Sequence, residues 1–233
     1  LLTVAAHGRA ALARARRKFS RAEFLLGTGQ TECYPATNVF FAAWAEGEAN
    51  YWGRSLLGVE TAIMDEEGNL LPPGRIGEIV WRAPTVMAGY FKDPEATTQA
   101  RRHGWHHSGD LGYFNEDGLL VFVDRKKDMI KTGGENVPSI KVEEVLLSHP
   151  EVAAAAVIGL PHPRWGEAVT AFVVPKEKGR LTSEEVISYC KQHLSGFEVP
   201  KAVVFLEELP TTATGKVRKY VLRQQYRDYY LHA

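Results

Sequence analysis

Hydrophobic spacing divides the chain into stretches of different texture. Leu1 to about Trp44 reads as the tail of an α/β layer. It has an apolar start, a basic helix from Ala10 to Phe19, and a buried strand at Phe24-Leu25-Leu26 that leads into a glycine-rich loop. From Tyr51 to Val123 apolar and polar residues alternate over short runs. Asp65-Glu66-Glu67-Gly68-Asn69 and Asn115-Glu116-Asp117-Gly118 supply hairpin-like turns there, because Gly and Asn accept positive φ at low cost. Several strands at this spacing predict a small sheet or a distorted barrel.

Beyond Asp128 the pattern becomes one of alternating helices and strands. Ser139 can cap a helix running to Ser148, while Val152 to Ile158 and Val169 to Val174 read as buried strands. Thr182-Ser183-Glu184-Glu185 forms a capping box, and the helix it opens places Val186, Ile187, Cys190 and Leu194 on one stripe. Val203-Val204-Phe205 is a further strand, and Arg218 to Tyr230 reads as a terminal helix. The charged stretch Asp124 to Asp128 separates these two textures and reads as a hinge.

A length of 233 residues suits two folding units. With 28 basic and 28 acidic side chains the chain has no net field that would draw it to nucleic acid or lipid. No apolar run approaches the ~18 residues of a membrane span, and Leu1-Leu2-Thr3-Val4 lacks the layout of a secretory signal, so a cytoplasmic protein is expected. Cys33 and Cys190 are too few for a disulfide framework or a zinc site and are expected to pack. Adjacent strand residues point to opposite faces, so His106 and His107 are not expected to share a metal and read as surface or packing residues.

Four short motifs carry candidate chemistry: Gly27-Thr28-Gly29-Gln30-Thr31-Glu32, Ser108-Gly109-Asp110-Leu111, Asp124-Arg125-Lys126-Lys127-Asp128 and Thr214-Gly215-Lys216. Each alone is a common accident. In this order they suggest binding of a nucleoside triphosphate and activation of a carboxylic acid. A carboxylate attacking the α-phosphorus of ATP, with pyrophosphate leaving, gathers negative charge that needs cations and donors already in place. Gly27 and Gly29 let backbone approach a nucleotide without an intervening Cβ, Thr31 offers a hydroxyl to phosphate, and Glu32 is a hard oxygen ligand for Mg²⁺. Lys216 does not sit in a Walker loop, since Pro210 stands where a glycine would be needed.

With its motifs in that order the chain resembles the adenylate-forming enzymes: acyl-CoA synthetases, peptide-synthetase adenylation domains and firefly luciferase. Asp124 to Ile130, Gly133-Gly134-Glu135-Asn136-Val137 and Pro163-Arg164-Trp165-Gly166-Glu167 look most like fatty-acyl and related acyl-CoA ligases, and the likeness runs from about Gly27 to about Leu222. The resemblance implies that residues Gly27 to Glu32, Asp110, Arg125 and Lys216 bind ATP or AMP. Glu32 then holds the metal, Asp110 accepts from the ribose hydroxyls, and Arg125 contacts ribose or phosphate. Lys216 and Glu32 are the implied catalytic residues, with Lys216 bridging substrate carboxylate and α-phosphate. Lys127 is the implied hinge, and Gly133, Gly134 and Glu135 line the path of coenzyme A. Trp165-Gly166-Glu167 is a loop of the same domain that reads as structural.

One departure stands out. The family usually carries an aromatic residue where this chain has Thr28, and a threonine cannot stack on adenine, so weaker ATP binding is expected. The implied fold is α/β and α+β. Residues 1–126 would form the end of a large AMP-binding domain, with an α/β segment over about 1–45 and a β-barrel-like segment over about 46–126. Residues 127–233 would form a small, mobile α+β domain. A start at Leu1, with no Ser/Thr/Gly-rich phosphate loop bearing a lysine, suggests the C-terminal portion of a longer enzyme, inactive alone and partnered by its missing N-terminal portion. The implied function is ATP-dependent ligation of a carboxylic acid, by resemblance a fatty acid, to coenzyme A through an acyl-adenylate, with Mg²⁺. Loading of a carrier protein, and a noncatalytic nucleotide-binding role, remain as alternatives.

Overall fold

The structure is a computed structural model that describes residues 2–3, 15–41 and 50–231. The chain divides into two units, Leu1–Lys126 and Lys127–Ala233. In the first, eight strands make one sheet: β1 (Leu2–Thr3), β2 (Leu25–Gln30), β3 (Cys33–Phe41), β4 (Tyr51–Ser55), β5 (Glu60–Met64), β6 (Gly77–Arg82), β7 (His106–Phe114) and β8 (Leu120–Arg125). Their order is β1-β2-β3-β4-β8-β7-β6-β5. β1 and β2 run parallel, and every other pair is antiparallel.

One expectation changes here. The sheet is open, not barrel-like: the chain after β5 folds back on it, with Met64 bridging Leu70 and the Leu71 N–H donating to Ile63 O at 2.8 Å, so the outer edge of β5 is already occupied. Within the sheet β4 pairs with both β3 and β8 and joins the two sets of strands. Of the basic helix expected from Ala10 to Phe19, residues 15–18 are helical and 10–14 lie outside the described residues. Both hairpin turns form as their composition demands. Asn115 Oδ1 accepts from the Asp117 and Leu119 N–H groups, and Asp65 Oδ1 accepts from Asn69 N at 2.7 Å. Gly68 and Gly118 take φ of 92° and 69°. The core lies under β5 to β8, where Ile63, Ile79, Val80, Trp81 and Leu120 are buried.

The second unit is built on five strands, β9 (Ile130–Thr132), β10 (Glu135–Val137), β11 (Val152–His162), β12 (Gly166–Pro175) and β13 (Ala202–Phe205). Their order is β10-β9-β12-β11, with β13 parallel to β12. Alternate residues of β11 and β12 feed two cores. Ala155, Val157, Val169 and Ala171 pack with the helices Ser139–Ser148 and Ser183–His193, while Ala156, Ile158 and Phe172 pack with Leu222 of the helix Lys219–Gln225. A sheet covered on both faces needs continuous apolar runs, and these two strands have them.

The capping box at Thr182 and Glu185 forms with both reciprocal hydrogen bonds. Ser139 does not cap. It is the first helical residue after Pro138, and its buried hydroxyl accepts from Lys219 Nζ at 2.7 Å. The terminal helix is shorter than expected and ends at Gln225. Past it the chain turns so that Tyr230 reaches Thr170 Oγ1 at 3.0 Å and sets its ring edge against His162. Among the described residues no helix is long and apolar enough to cross a membrane.

Candidate functional site

The glycine motif is not a loop. Gly27, Thr28, Gly29 and Gln30 belong to β2, and Thr31-Glu32 is the tight turn that hands the chain to β3, with Gln30 opposite Cys33. The pairing slips between Thr28 and Gln30, so the strand is irregular at Gly29. Three contacts hold the turn. Met87 N donates to Glu32 O at 2.7 Å, Cys33 bridges Val86, and the Tyr90 hydroxyl donates to Glu32 Oε1 at 2.9 Å. Burial, followed by the Glu32 carboxylate, raises the Tyr90 phenol above its ordinary value and keeps it a donor. Tyr90 lies 58 residues from Glu32, and the sequence offers no local signal for the pairing. Mg²⁺ binds through one or two protein carboxylates, with waters and substrate phosphates filling the rest of its shell. A single half-buried Glu32 beside an exposed Thr31 fits that donor set.

Asp110 stands at the centre of the unit's polar cluster and is buried on β7. Gln30 Nε2 donates both to Ser108 O at 2.8 Å and to Asp110 Oδ2 at 2.9 Å. Arg125, opposite Asp110 in the β7–β8 ladder, brings Nε to 3.9 Å from Oδ1. Burial outweighs Arg125 and Gln30 and pushes the Asp110 carboxyl up to about 6. Ser108 Oγ accepts from the Asp110 N–H at 3.0 Å and donates to Ile79 O at 2.6 Å, which sets the bend before the acid.

The two histidines point apart as adjacent strand residues must. His106 is buried, stacks on Trp81 with ring centroids 6.0 Å apart, and sets Nε2 3.4 Å from Gln30 Oε1. Burial first of all holds it below the ordinary imidazole value. His107 Nδ1 lies 3.1 Å from Glu78 Oε2. Glu78 also accepts from the Gly109 N–H at 3.1 Å and from Lys126 Nζ at 3.4 Å. Burial works against its charge, yet these donors together hold the Glu78 carboxyl below the usual range. Among the described residues no three His, Cys, Asp or Glu side chains gather as a metal cluster, and Cys33 and Cys190 are both buried and free.

In the second unit Lys127 is exposed in a turn, and the next residue, Asp128, is buried and paired with Arg223 at 2.7 Å. Gly133 and Gly134 connect β9 to β10 as a two-residue turn with φ of 59° and 90°, the doubly positive pattern of a type I′ hairpin. Glu135 is exposed beside it. The Trp165 loop supports that turn: Gly133 N donates to Trp165 O at 2.9 Å, and Lys131 N donates to Glu167 Oε2 at 2.7 Å. Lys216 sits on a separate small turn. The Thr212 N–H donates to Lys216 O at 2.8 Å, Lys216 N donates to Thr212 Oγ1 at 3.1 Å, and Gly215 takes φ of 80°. The first unit thus gathers Gln30, Asp110 and Arg125, with Thr31 and Glu32 at the hairpin tip. The second presents Gly133, Gly134 and Glu135 on one turn and Lys216 on another.

Comparison with known proteins identifies the family. The model of the AMP-binding enzyme family matches residues 1–91, and that of the AMP-binding enzyme C-terminal domain matches residues 141–216. A feruloyl-CoA synthase of Amycolatopsis sp is 41% identical over 87% of this chain and 41% of its own length. A 2-succinylbenzoate–CoA ligase of Bacillus cereus is 45% identical over 69% of this chain and 33% of its own. The structure of an O-succinylbenzoate coenzyme A synthetase from Bacillus subtilis, in complex with ATP and magnesium ion, superposes with a TM-score of 0.86 at 30% identity, covering 95% of this chain and 46% of that one. The chain therefore spans less than half the length of the relatives it matches. Its two matched domains and the order of its motifs place it in the AMP-binding, adenylate-forming enzyme superfamily.

Proposed function

We propose that this chain is the part of an ATP-dependent acid–thiol ligase that holds the ribose side of the nucleotide and supplies the mobile lysine. The enzyme would form an acyl-adenylate from acid and ATP, then an acyl thioester of coenzyme A. The observation that carries this reading is the meeting of Gln30 and Asp110 from strands 80 residues apart, with Arg125 beside them, in a member of the AMP-binding family.

The roles divide by unit. Asp110 accepts from the ribose hydroxyls, Arg125 offers its guanidinium to ribose or phosphate, and Thr31 faces phosphate. Glu32 holds Mg²⁺, which supplies positive charge to the triphosphate when bound. Gly27, Thr28 and Gly29 provide the strand along which the nucleotide lies. In the other unit Lys216 brings an ammonium to the carboxylate and α-phosphate for adenylation, while Gly133, Gly134 and Glu135 line the path of the coenzyme A arm. Lys127 is the pivot between the two reactions, since each requires different groups at the same acyl carbon.

The relatives are named for ferulate and 2-succinylbenzoate. An aromatic carboxylic acid therefore fits this enzyme better than the fatty acid suggested by its motifs. The test is ATP–pyrophosphate exchange by the complete enzyme with ferulic, 2-succinylbenzoic and hexadecanoic acids, followed by product analysis with free coenzyme A and with a phosphopantetheinylated carrier. Exchange with an aryl acid and an aryl-CoA product is expected. Absence of exchange with every acid would overturn the ligase reading, and a product formed only on the carrier would overturn coenzyme A as acceptor.

A further inference from the structure

The resemblance places Gln30 among nucleotide-binding residues, but its side chain is already committed. Both hydrogens of the carboxamide nitrogen are used, one on Ser108 O at 2.8 Å and one on Asp110 Oδ2 at 2.9 Å. The carboxamide oxygen faces His106 Nε2 at 3.4 Å. Among the described residues His106 Nδ1 has no hydrogen-bond partner, so the imidazole proton belongs on Nε2, where an acceptor waits. The two oxygens of Ser108 and Asp110 orient the amide, and this tautomer is the one that matches. With Nε2–H of His106 toward Oε1, the nitrogen of Gln30 must face the two oxygens, and a flipped amide would set oxygen against oxygen at both. His106 is itself fixed by stacking on Trp81, whose Nε1 donates to Asn38 Oδ1 at 3.2 Å.

We infer that Gln30 is a positioning residue: its carboxamide fixes one oxygen of Asp110 and turns the other, beside Arg125, toward the vicinal cis-diol of a ribonucleoside. This rests on the reading of Asp110 as the ribose acceptor. A carboxylate free to rotate about χ2 offers its oxygens in many directions, and a diol is held well only when both acceptor directions are set beforehand. Gln30 removes that freedom. The selectivity for ribose over 2′-deoxyribose therefore depends on a residue that does not touch the sugar. The charged groups around Asp110 are Arg125 and Asp124 on β8 and Glu78 on β6, and the titratable His106 of its own strand reaches it through Gln30. Of the hydrogen-bond donors on Asp110, the one from β2 is Gln30.

Two measurements on the present chain test this, with AMP and 2′-deoxy-AMP as probes. In the wild-type chain the side-chain amide protons of Gln30, followed by NMR, should titrate together with the Asp110 carboxyl near pH 6, a readout that needs no variant to fold. The wild type should prefer AMP to 2′-deoxy-AMP. Gln30→Met should cut that preference by about 5- to 30-fold and move the Asp110 midpoint to higher pH, because a donor to its charged form is gone. His106→Leu, which removes the partner of Gln30 Oε1 together with the stack on Trp81, should do the same to a smaller degree. An undiminished preference in Gln30→Met, or Gln30 amide protons that ignore the Asp110 titration, would overturn the inference. A wild type that binds both nucleotides equally while the two side chains still titrate together would instead sink the ribose role of Asp110, and with it this use of Gln30.

Discussion

Arg223 Nη2 lies 2.7 Å from Asp128 Oδ1, so the helix that follows the Lys216 turn is tied to the residue next to Lys127. A second link on the same helix joins Lys219 Nζ to Glu143 Oε1 at 2.7 Å, and that carboxylate oxygen also accepts from the Val157 N–H at 2.8 Å. Lys219 and Glu143 are both largely shielded from water. A backbone rotation at Lys127 would thus carry the lysine turn with it.

Cutting that tie leaves an acid buried without its cation. Asp128 is 6% exposed, whereas the Arg223 side chain keeps 29% of its surface, so the loss lies below that of a fully buried pair. Arg223→Ala should cost about 2 kcal/mol, seen as a lowered midpoint in denaturant. Asp128→Asn combined with Arg223→Ala should recover part of it, because no buried charge remains.

Asp110 should impose a stability cost at neutral pH. Burial raises its carboxyl from 3.8 to about 6, so the folded chain binds that proton more tightly than the unfolded chain does. The stability so gained is complete below pH 3.8 and is lost as the pH rises through about 6. At about 1.4 kcal/mol per pKa unit the loss approaches 3 kcal/mol. Asp110→Asn should therefore resist denaturant better than wild type at pH 7.5, by up to about 3 kcal/mol, with the difference fading toward pH 4. The same variant should lose its preference for AMP over 2′-deoxy-AMP.

Thr28 permits two substitutions with separate outcomes. Among the described residues its buried Oγ1 has no hydrogen-bond partner. Thr28→Val keeps the shape and removes that hydroxyl, and should stabilise the chain by about 1 kcal/mol in thermal unfolding. Thr28→Tyr restores a ring able to stack on adenine, and should lower the KM for ATP in the complete enzyme.

The turn at Gly133-Gly134 should tolerate one residue type and resist another. Asn reaches positive φ readily and a β-branched residue does not, so Gly133→Asn should fold as wild type while Gly134→Val, at φ of 90°, should cost on the order of 1–3 kcal/mol. In the complete enzyme Gly134→Val should slow thioester formation from premade acyl-adenylate more than it slows ATP–pyrophosphate exchange.

Lys216→Ala should produce the opposite split. Loss of a preorganised charge costs on the order of 10²–10³ in rate. Acyl-adenylate formation should fall by that factor, while conversion of premade adenylate to thioester stays near wild type.

Much of this molecule could be read from short-range pattern. The capping box from Thr182 to Glu185, the apolar runs of β11 and β12, and the turns at Gly68 and Gly118 each depend on residues within a few positions of one another. The motif order from Gly27 to Lys216 named the superfamily for the same reason, since residue type and spacing survive without coordinates. What tertiary structure decided was partnership. Gln30 finds Asp110 across 80 residues, Tyr90 finds Glu32 across 58, and Arg223 finds Asp128 across 95. Ser139 stands inside the helix and accepts from Lys219, and the terminal helix stops at Gln225, past which Tyr230 docks on Thr170. Local propensity specifies strands, turns and caps because their hydrogen bonds close within a few residues. Which buried acid meets which donor depends on strand order and register, and those follow from packing the whole sheet.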